Sequence, residues 1–225
     1  MISVIIPTLN DQASLARCFE SLISAAVSRL VREVIVADGG STDDTAIIAD
    51  ATGARFLPAP KGRGAQLAAG AEEAKGGWLL FLDPGTALES GWESEAEHFI
   101  ERADPEHPCA AAFRFALDDF GGAARRSEML AAWRCWALGL SYGEQGLLIS
   151  RRHYRKLGGF RALGAHEDID MARRIGRRRL VMLQSKAVTS AAYQRRQRET
   201  KKPVRSLARL MLFALRVPAS FMMRL

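Results

Sequence analysis

Trp78-Leu79-Leu80-Phe81-Leu82-Asp83-Pro84-Gly85-Thr86 is the stretch from which the rest of this sequence can be read. Five large apolar residues run without alternation and stop at a carboxylate, the pattern of a strand buried on both faces of a parallel sheet. Ligands of open α/β sheets sit beyond the carboxyl ends of the strands. Asp83 therefore stands where such a sheet places an acidic ligand for a metal or a sugar nucleotide. Asp, Pro and Gly also spell an ordinary turn. Asp83 alone leaves the two readings level, and the flanking segments have to separate them.

Outward from this strand the chain alternates. Residues 2–7 are a β-branched run closed by Pro7, followed by the loop Thr8-Leu9-Asn10-Asp11 and a helical apolar pattern over 13–24. A second strand over 33–37 ends at Asp38-Gly39-Gly40-Ser41-Thr42-Asp43-Asp44-Thr45, where the glycines permit a tight turn and Ser41, Thr42 or Asp43 can cap a helix over 44–52. A short strand over 54–57 leads to the basic glycine loop Lys61-Gly62-Arg63-Gly64-Ala65-Gln66 and a helix over 65–75. This order, with connections long enough for right-handed crossovers, predicts a doubly wound, mainly parallel α/β sheet flanked by helices. Two acidic loops and one basic loop then share its carboxyl-end rim.

The second half is less regular. It predicts a strand over 109–117 and a helix over 123–139 carrying Met129, Leu130, Trp133 and Trp136. The turn Gly143-Glu144-Gln145-Gly146 precedes a strand over 147–150, His166-Glu167-Asp168-Ile169-Asp170 opens a helix, and 180–184 make a last strand. The tryptophans read as core or as the wall of an acceptor groove, His153 and His166 as surface or supporting histidines. Glu144 either binds an acceptor or sits in its turn.

The 225 residues suffice for a full core, and 48% hydrophobic with 25% charged residues is a globular composition. Three scattered cysteines suggest neither a disulfide framework nor a zinc site and fit a reducing cytoplasm. The N-terminus reads as a strand and not as a signal peptide, and no apolar run is long enough to span a bilayer. The net charge of +7 is concentrated at Arg173–Arg179 and Arg195–Arg209. Such clusters suit nucleic acid, anionic lipid or phosphorylated substrates, but they lack the interleaved aromatics of a nucleic-acid surface.

Ser3-Val4-Ile5-Ile6-Pro7-Thr8-Leu9-Asn10, the Asp38–Thr45 segment, and Gly158-Gly159-Phe160 with Glu167-Asp168 together resemble family 2 glycosyltransferases of the GT-A fold. Gly62-Arg63-Gly64-Ala65-Gln66-Leu67 and Gly143-Glu144-Gln145-Gly146 look like a compact bacterial branch, some members of which are associated with arsenosugar biosynthesis. The resemblance covers roughly residues 2–190 and implies a nucleotide-binding half (1–105), an acceptor-binding half (106–190) and a tail (191–225). It implies that Pro7, Thr8 and Asn10 line a nucleobase and ribose pocket and that Asp38 accepts a hydrogen bond from the base. Gly39, Lys61, Arg63 and Gln66 fall on the donor side, near the diphosphate. Asp83 takes the first position of a D-x-D-like motif that holds Mg²⁺ or Mn²⁺, Asp168 matches the catalytic base, and Glu167 orients the site. Plainer alternatives remain beside these roles: a helix-entry turn for Asp38, a solvated loop charge for Lys61 and Arg63, and a carboxylate favoured by the helix dipole for Asp168.

The pattern breaks at Gly85, which stands where the family's most direct metal ligand is an Asp. A weakened metal site on Asp83, metal-independent catalysis with Arg63 and Lys61, and a silent nucleotide-sugar binder all follow from that break. The expectation is an inverting transferase that moves a single sugar from a nucleotide-diphosphate sugar, since the Gln-x-x-Arg-Trp motif of processive synthases is absent. A sugar-phosphate nucleotidyltransferase is a second rival, although its glycine-rich basic loop after strand one is missing. In the tail, Arg205, Arg209 and Arg216 share one helical face, which suits either an anionic inner-membrane surface with a lipid-linked acceptor or packing against protein.

Overall fold

In the computed structural model, residues 1–119, 121–138, 143–163 and 167–200 are described, with the side chains of 123, 133–138 and 197–200 excepted. The chain divides into two units, Met1–Ser190 and Ala191–Leu225. Of the second, the helix Ala191–Thr200 is described. Arg205, Arg209 and Arg216 of the proposed tail face lie outside the described residues, as do Leu140, Tyr142 and His166 and the side chains of Trp133 and Trp136.

The first unit is assembled on β1 (Ile2–Thr8), which is buried along its whole length. Its neighbours are β2 (Val31–Asp38) on one side and β4 (Trp78–Phe81) on the other, both parallel to it, and β3 (Arg55–Pro58) extends the parallel half beyond β2. The helices α1 (Gln12–Glu20), α2 (Ile23–Val27), α3 (Thr45–Ala51) and α4 (Arg63–Glu73) link these strands. Both β1 and β4 are interior strands covered on both faces, with no wet side, which is why they read as largely apolar runs without alternation. The predicted single helix over 13–24 is two helices. Ser21 turns its hydroxyl back onto the Cys18 carbonyl, and the Ser21 carbonyl accepts the indole N–H of the fully buried Trp92 (3.0 Å).

Past β4 the sheet becomes mixed, with four of its seven strand pairs parallel. The remaining strands are β5 (Thr86–Leu88), β6 (Ala110–Leu117), β7 (Leu147–Ser150) and β8 (Leu180–Thr189), and the full order is β3-β2-β1-β4-β7-β6-β8-β5. β7 runs antiparallel to β4 and β6, β6 and β8 are parallel, and β5 is antiparallel to β8. Neither β5 nor α5 (Trp92–Glu101) was expected. A three-residue strand is too short to show a period, and the helix starts abruptly after Gly91, whose φ of 90° needs glycine. α5 also explains why β8 continues past residue 184. The β6–β8 register jumps from Ala112↔Met182 to Arg114↔Lys186, and Glu95 of α5 accepts the Gln184 and Ser185 N–H groups that this bulge leaves unpaired. The other helices are α6 (Gly122–Leu138), α7 (Arg151–Lys156) and α8 (Glu167–Ile175).

One core joins α1, α2 and α5 to the sheet through Leu15, Phe19, Trp92 and Leu80. The other joins α4, α7 and α8 to the opposite face through Leu67, Tyr154, Met171, Leu79 and Phe81. α4 sits so close to β1 that a Cβ on Gly70 would come within 2.5 Å of Ile5 Cγ2. Ala exceeds Gly in helix propensity by about 1 kcal/mol, whereas overpacking costs about 1–3 kcal/mol. Gly70→Ala is therefore expected to lower stability in a urea titration, less so in an Ile5→Ala background. Equal losses in both backgrounds would mean that the helix does not bear on Ile5.

Candidate active site

Two loops at the carboxyl ends of β1 and β2 are tied into one body by side chains. Thr8 Oγ1 donates to Asp38 Oδ1 (3.0 Å), and the Gly40 and Ser41 N–H groups donate to Asp38 Oδ2 (2.9 and 2.8 Å). The Ser41 hydroxyl completes the set. Burial alone would raise the Asp38 carboxyl, but the donors from Ser41, Gly40 and Thr8 hold it below its ordinary range. Asn10, at φ 57°, accepts the Thr42 N–H on its own side-chain oxygen (2.8 Å). Asp38 and Asn10 thus spend their side-chain bonds on shaping the loop. Pro7 and Thr8 are buried at the end of β1, and Lys61 is exposed.

The loops are anchored to α4 by Gln66, whose side-chain N–H donates to the Thr8 and Ala37 carbonyls (2.6 and 2.9 Å). Gly39 leaves room for this side chain, since a Cβ there would lie 3.1 Å from Gln66 Nε2. One turn earlier on the same helix stands Arg63, on which the carboxylates converge. Its Nε and Nη2 donate to Asp83 Oδ1 (3.0 and 2.8 Å), and its Nη1 donates to Glu167 Oε1 (3.1 Å) and Asp168 Oδ1 (2.8 Å). Asp83 and Asp168, 85 positions apart in the chain, therefore share one guanidinium. Asp38 belongs to the same rim through Gln66 and makes no contact with Arg63 among the described residues.

Glycines bring the surrounding backbone this close. The Gly143 N–H donates to Asp168 Oδ2 (3.1 Å), and a Cβ on Gly143 would lie 1.9 Å from Arg63 Nη2. Gly64 packs against the Arg161 carbonyl, which a Cβ would meet at 2.3 Å. That carbonyl is placed by Gly158-Gly159-Phe160: both glycines have positive φ, the Phe160 N–H donates to the Tyr154 hydroxyl (2.9 Å), and Phe160 stacks edge-on to Phe81 (4.9 Å). Arg174 of α8 then clamps the loop by donating to the Leu157 and Gly159 carbonyls while pairing with Asp170. The Gly-Gly-Phe run thereby sets the start of α8, and with it Glu167 and Asp168. The Asp170–Arg174 pair was not singled out from sequence; its i,i+4 spacing was the available signal.

Three carboxylates against one guanidinium leave two formal negative charges in a largely enclosed site. Burial opposes the Arg63 charge, but Asp168, Asp83 and Glu167 outweigh it and hold the guanidinium protonated. Burial raises the Asp168 carboxyl above its ordinary range; Glu167 and Asp83 raise it further, and Arg63 pulls the other way. Its side chain keeps 19% exposure, enough for an acceptor to reach. Among the described residues no group of three or more His, Cys, Asp and Glu is arranged to hold an ion by itself. The donor set fits a Mg²⁺ or Mn²⁺ ion that keeps waters and substrate oxygens as most of its ligands. Asp83 Oδ2 has no hydrogen-bond partner among the described residues, and the surplus charge favours a cation.

A profile of the family described as Glycosyl transferase family 2 matches residues 3–161. The chain belongs to glycosyltransferase family 2. Over 91 residues it is 40% identical to glucosyl-3-phosphoglycerate synthase of Mycobacterium tuberculosis, a match covering 36% of this chain and 28% of that protein. Over 113 residues it is 34% identical to a PGL/p-HBAD biosynthesis glycosyltransferase of Mycobacterium bovis, covering 47% of this chain and 43% of the relative. This family 2 chain thus matches less than half the length of either curated relative. Among solved structures, S. aureus TarS 1-349 superposes with a TM-score of 0.65 at 19% identity, over 83% of this chain and 60% of that one. The M. tuberculosis glucosyl-3-phosphoglycerate synthase in complex with Mn²⁺, UDP-glucose and phosphoglyceric acid gives 0.59 at 25% identity, over 82% and 69%. The architecture is the GT-A fold. No helix among the described residues is long and apolar enough to cross a membrane.

Removing the shared cation isolates its role. Arg63→Ala is expected to cost about 3–5 kcal/mol at neutral pH, the usual penalty for stranding buried charges. Asp168, already held above its ordinary range by burial, then loses the cation that pulls it down, so the penalty applies when it is ionised and is relieved as pH falls through its folded-state value. Urea unfolding at about pH 7.5 and about pH 5 should show the deficit shrinking at the lower pH, within the range where raised carboxyl groups titrate. Gly143→Ala, which pushes Arg63 aside, should show the same trend in weaker form. A deficit independent of pH would locate the damage elsewhere.

Proposed function

We propose that this protein is an inverting glycosyltransferase that moves one sugar from a UDP-sugar to an acceptor hydroxyl, with Asp168 as general base. The observation that carries this reading is the Arg63 bridge, which holds a donor-side carboxylate, Asp83, and an acceptor-side carboxylate, Asp168, about one guanidinium in a family 2 chain. Asp168 takes the acceptor hydroxyl proton as that oxygen attacks the anomeric carbon. The bond from that carbon to the diphosphate oxygen breaks on the opposite face, so the configuration inverts. A carboxylate with raised proton affinity is a better base than an ordinary one, and the Arg63 and Gly143 hydrogen bonds fix both of its oxygens in place. Glu167 shares Arg63 and keeps that guanidinium from swinging wholly toward Asp168.

The loop built on Asp38, with Pro7, Thr8, Asn10 and Gly39 around it, is assigned to the nucleoside, and Lys61 and the Gly62 turn to the diphosphate. Asp83 Oδ2 is the protein oxygen assigned to Mg²⁺ or Mn²⁺, an ion that stabilises charge on the leaving diphosphate when bound. UDP and the divalent ion are favoured because the glucosyl-3-phosphoglycerate synthase structures carry UDP with Mn²⁺ or Mg²⁺. The same relative's phosphoglycerate makes a small phosphorylated alcohol the first acceptor to try. A lipid-linked acceptor at a membrane surface rests on the charge pattern of the tail alone. Gly85 and the commitment of Asp83 Oδ1 to Arg63 favour one rival, a protein that binds the donor without turning it over.

Product NMR with UDP-glucose, Mn²⁺ and an acceptor panel should show a glycoside of inverted anomeric configuration. Asp168→Asn should lower the rate by about 10²–10⁴-fold, the usual worth of a general base, while UDP affinity is kept. Turnover that survives Asp168→Asn would sink the base assignment. UDP binding without turnover under any ion would leave the silent binder.

A further inference from the structure

At the amino-terminal edge of the parallel strands, the rim opposite the carboxylate cluster, cations collect. Trp78 at the start of β4 pairs with Ser150 at the end of β7, and Ala110 at the start of β6 pairs with Leu180 at the start of β8. The chain entering β4 carries Lys75, that leaving β7 carries Arg151, Arg152, Arg155 and Lys156, and that entering β8 carries Arg177, Arg178 and Arg179. Lys75, Gly76, Gly77, Arg151, Arg152 and Arg155 enclose an open cleft of about 520 Å³.

The cleft has a rigid floor. The Gly76 N–H donates to Ser3 Oγ (2.8 Å), a Cβ on Gly76 would lie 2.7 Å from the Ser3 nitrogen, and the Arg151 N–H donates to the Gly77 carbonyl (2.9 Å). A Cβ on Gly77 would meet nothing within 4 Å. None of the four cationic side chains makes an ion pair among the described residues, whereas Arg17, Arg55, Arg63, Arg161, Arg174 and Lys186 all do. Two nearby carboxylates, Glu33, which accepts the Ser3 hydroxyl and the Lys75 N–H, and exposed Glu72, offset at most two of the four charges, while Glu73 is turned to Arg55. Arg151 Nε is enclosed with no hydrogen-bond partner. Buried beside the cleft, the His153 imidazole is held below its ordinary value by burial first, and Arg179 and Lys156 push it the same way.

Three guanidinium forks and an ammonium converging on one cleft match the oxygens of phosphate groups, which Arg binds bidentately. The volume falls within the range of small-molecule sites, well beyond that of one phosphate. We propose that this cleft is a second anion site, taking a ligand that presents a phosphomonoester or diphosphate group. Asp83 lies six positions after Gly77, about 20 Å along an extended chain, so the occupant does not touch the carboxylate cluster.

The test is a pyrophosphate titration of the whole protein followed by amide NMR, independent of any transferase assay. Saturable shifts are expected at Gly76, Gly77 and Arg151, scored apart from those at Gly39, Gly62 and Gly143. Arg152 and Arg155 are exposed, so the double variant Arg152→Gln/Arg155→Gln should fold normally and weaken binding about tenfold or more, as expected for losing two charge-assisted contacts. Cosedimentation with phosphatidylcholine vesicles, with and without phosphatidic acid, distinguishes the sources. Capture that depends on phosphatidic acid and is lost in the double variant supports a lipid headgroup; shifts with pyrophosphate and no capture support a soluble phosphate. Shifts that never saturate, or that saturate equally in the double variant, with vesicle capture absent or equally unchanged, overturn the proposal.

Discussion

A single guanidinium holds the candidate active site together. Arg63 is the first residue of α4, and three elements end on it: the loop after β4 through Asp83, the start of α8 through Glu167 and Asp168, and the backbone of Gly143 pressed over its Nη2. Two unit charges about 4 Å apart interact by about 4 kcal/mol at an effective dielectric of about 20. One cation can therefore satisfy a first carboxylate well, but a second and third bring their own repulsion. Desolvation adds to it, since each buried ion costs several kcal/mol before pairing. The cluster persists because the covalent frame gives the carboxylates nowhere else to go.

That frame is built from contacts that leave no room for a side chain. Gly64 against the Arg161 carbonyl fixes the distance between α4 and the loop before α8, and Gly70 against Ile5 fixes the height of α4 over the sheet. Gly158 and Gly159 supply the positive φ that turns Phe160 inward onto Phe81, and Arg174 locks the carbonyls so exposed. The chemistry of the site thus rests on glycines that carry none. Each allows a backbone to come near enough for a charged side chain on the next element to reach Arg63.

Much of the first half was legible because its physics is local. Continuous apolar runs at Ile2–Pro7 and Trp78–Leu82 declare strands buried on both faces, and the loops after them are acidic or glycine-rich. The carboxylates at 83, 167 and 168 could be named from sequence, and the structure brings all three together. Their partner could not be assigned. Arg63 read equally as a loop charge or a phosphate contact, because nothing in a linear sequence says that residues 83 and 168 lie on either side of it. Asp38 and Asn10 were located at the rim, yet their engagement with Ser41 and Thr42 depends on two loops meeting edge to edge. The strand order beyond β4 was illegible for a related reason. β5 is three residues long, and the β8 bulge is satisfied by Glu95, from a helix the period did not reveal.

The basic charge of the chain lies apart from these carboxylates. Lys75, Arg151, Arg152 and Arg155 stand at the amino-terminal edge of the sheet, while Asp83, Glu167 and Asp168 outnumber Arg63 at the carboxyl edge. A net charge of +7 therefore says little about how an anionic donor meets the donor side. A diphosphate approaching an ionised cluster with two surplus negative charges is opposed by about 3 kcal/mol per pair of unit charges at about 5 Å, again at a dielectric of about 20. Steering by the distant cations is damped over a Debye length of about 8 Å at physiological salt. The opposition has to be met locally, by Lys61, by a proton on Asp168, or by a divalent ion shared between the diphosphate and Asp83 Oδ2. A proton on Asp168 would disarm it as the proposed base, and one ammonium covers half of the surplus. Donor binding and an active base are compatible with this charge count when the third source contributes. That is the electrostatic case for a cation at a motif with only one of its two carboxylates.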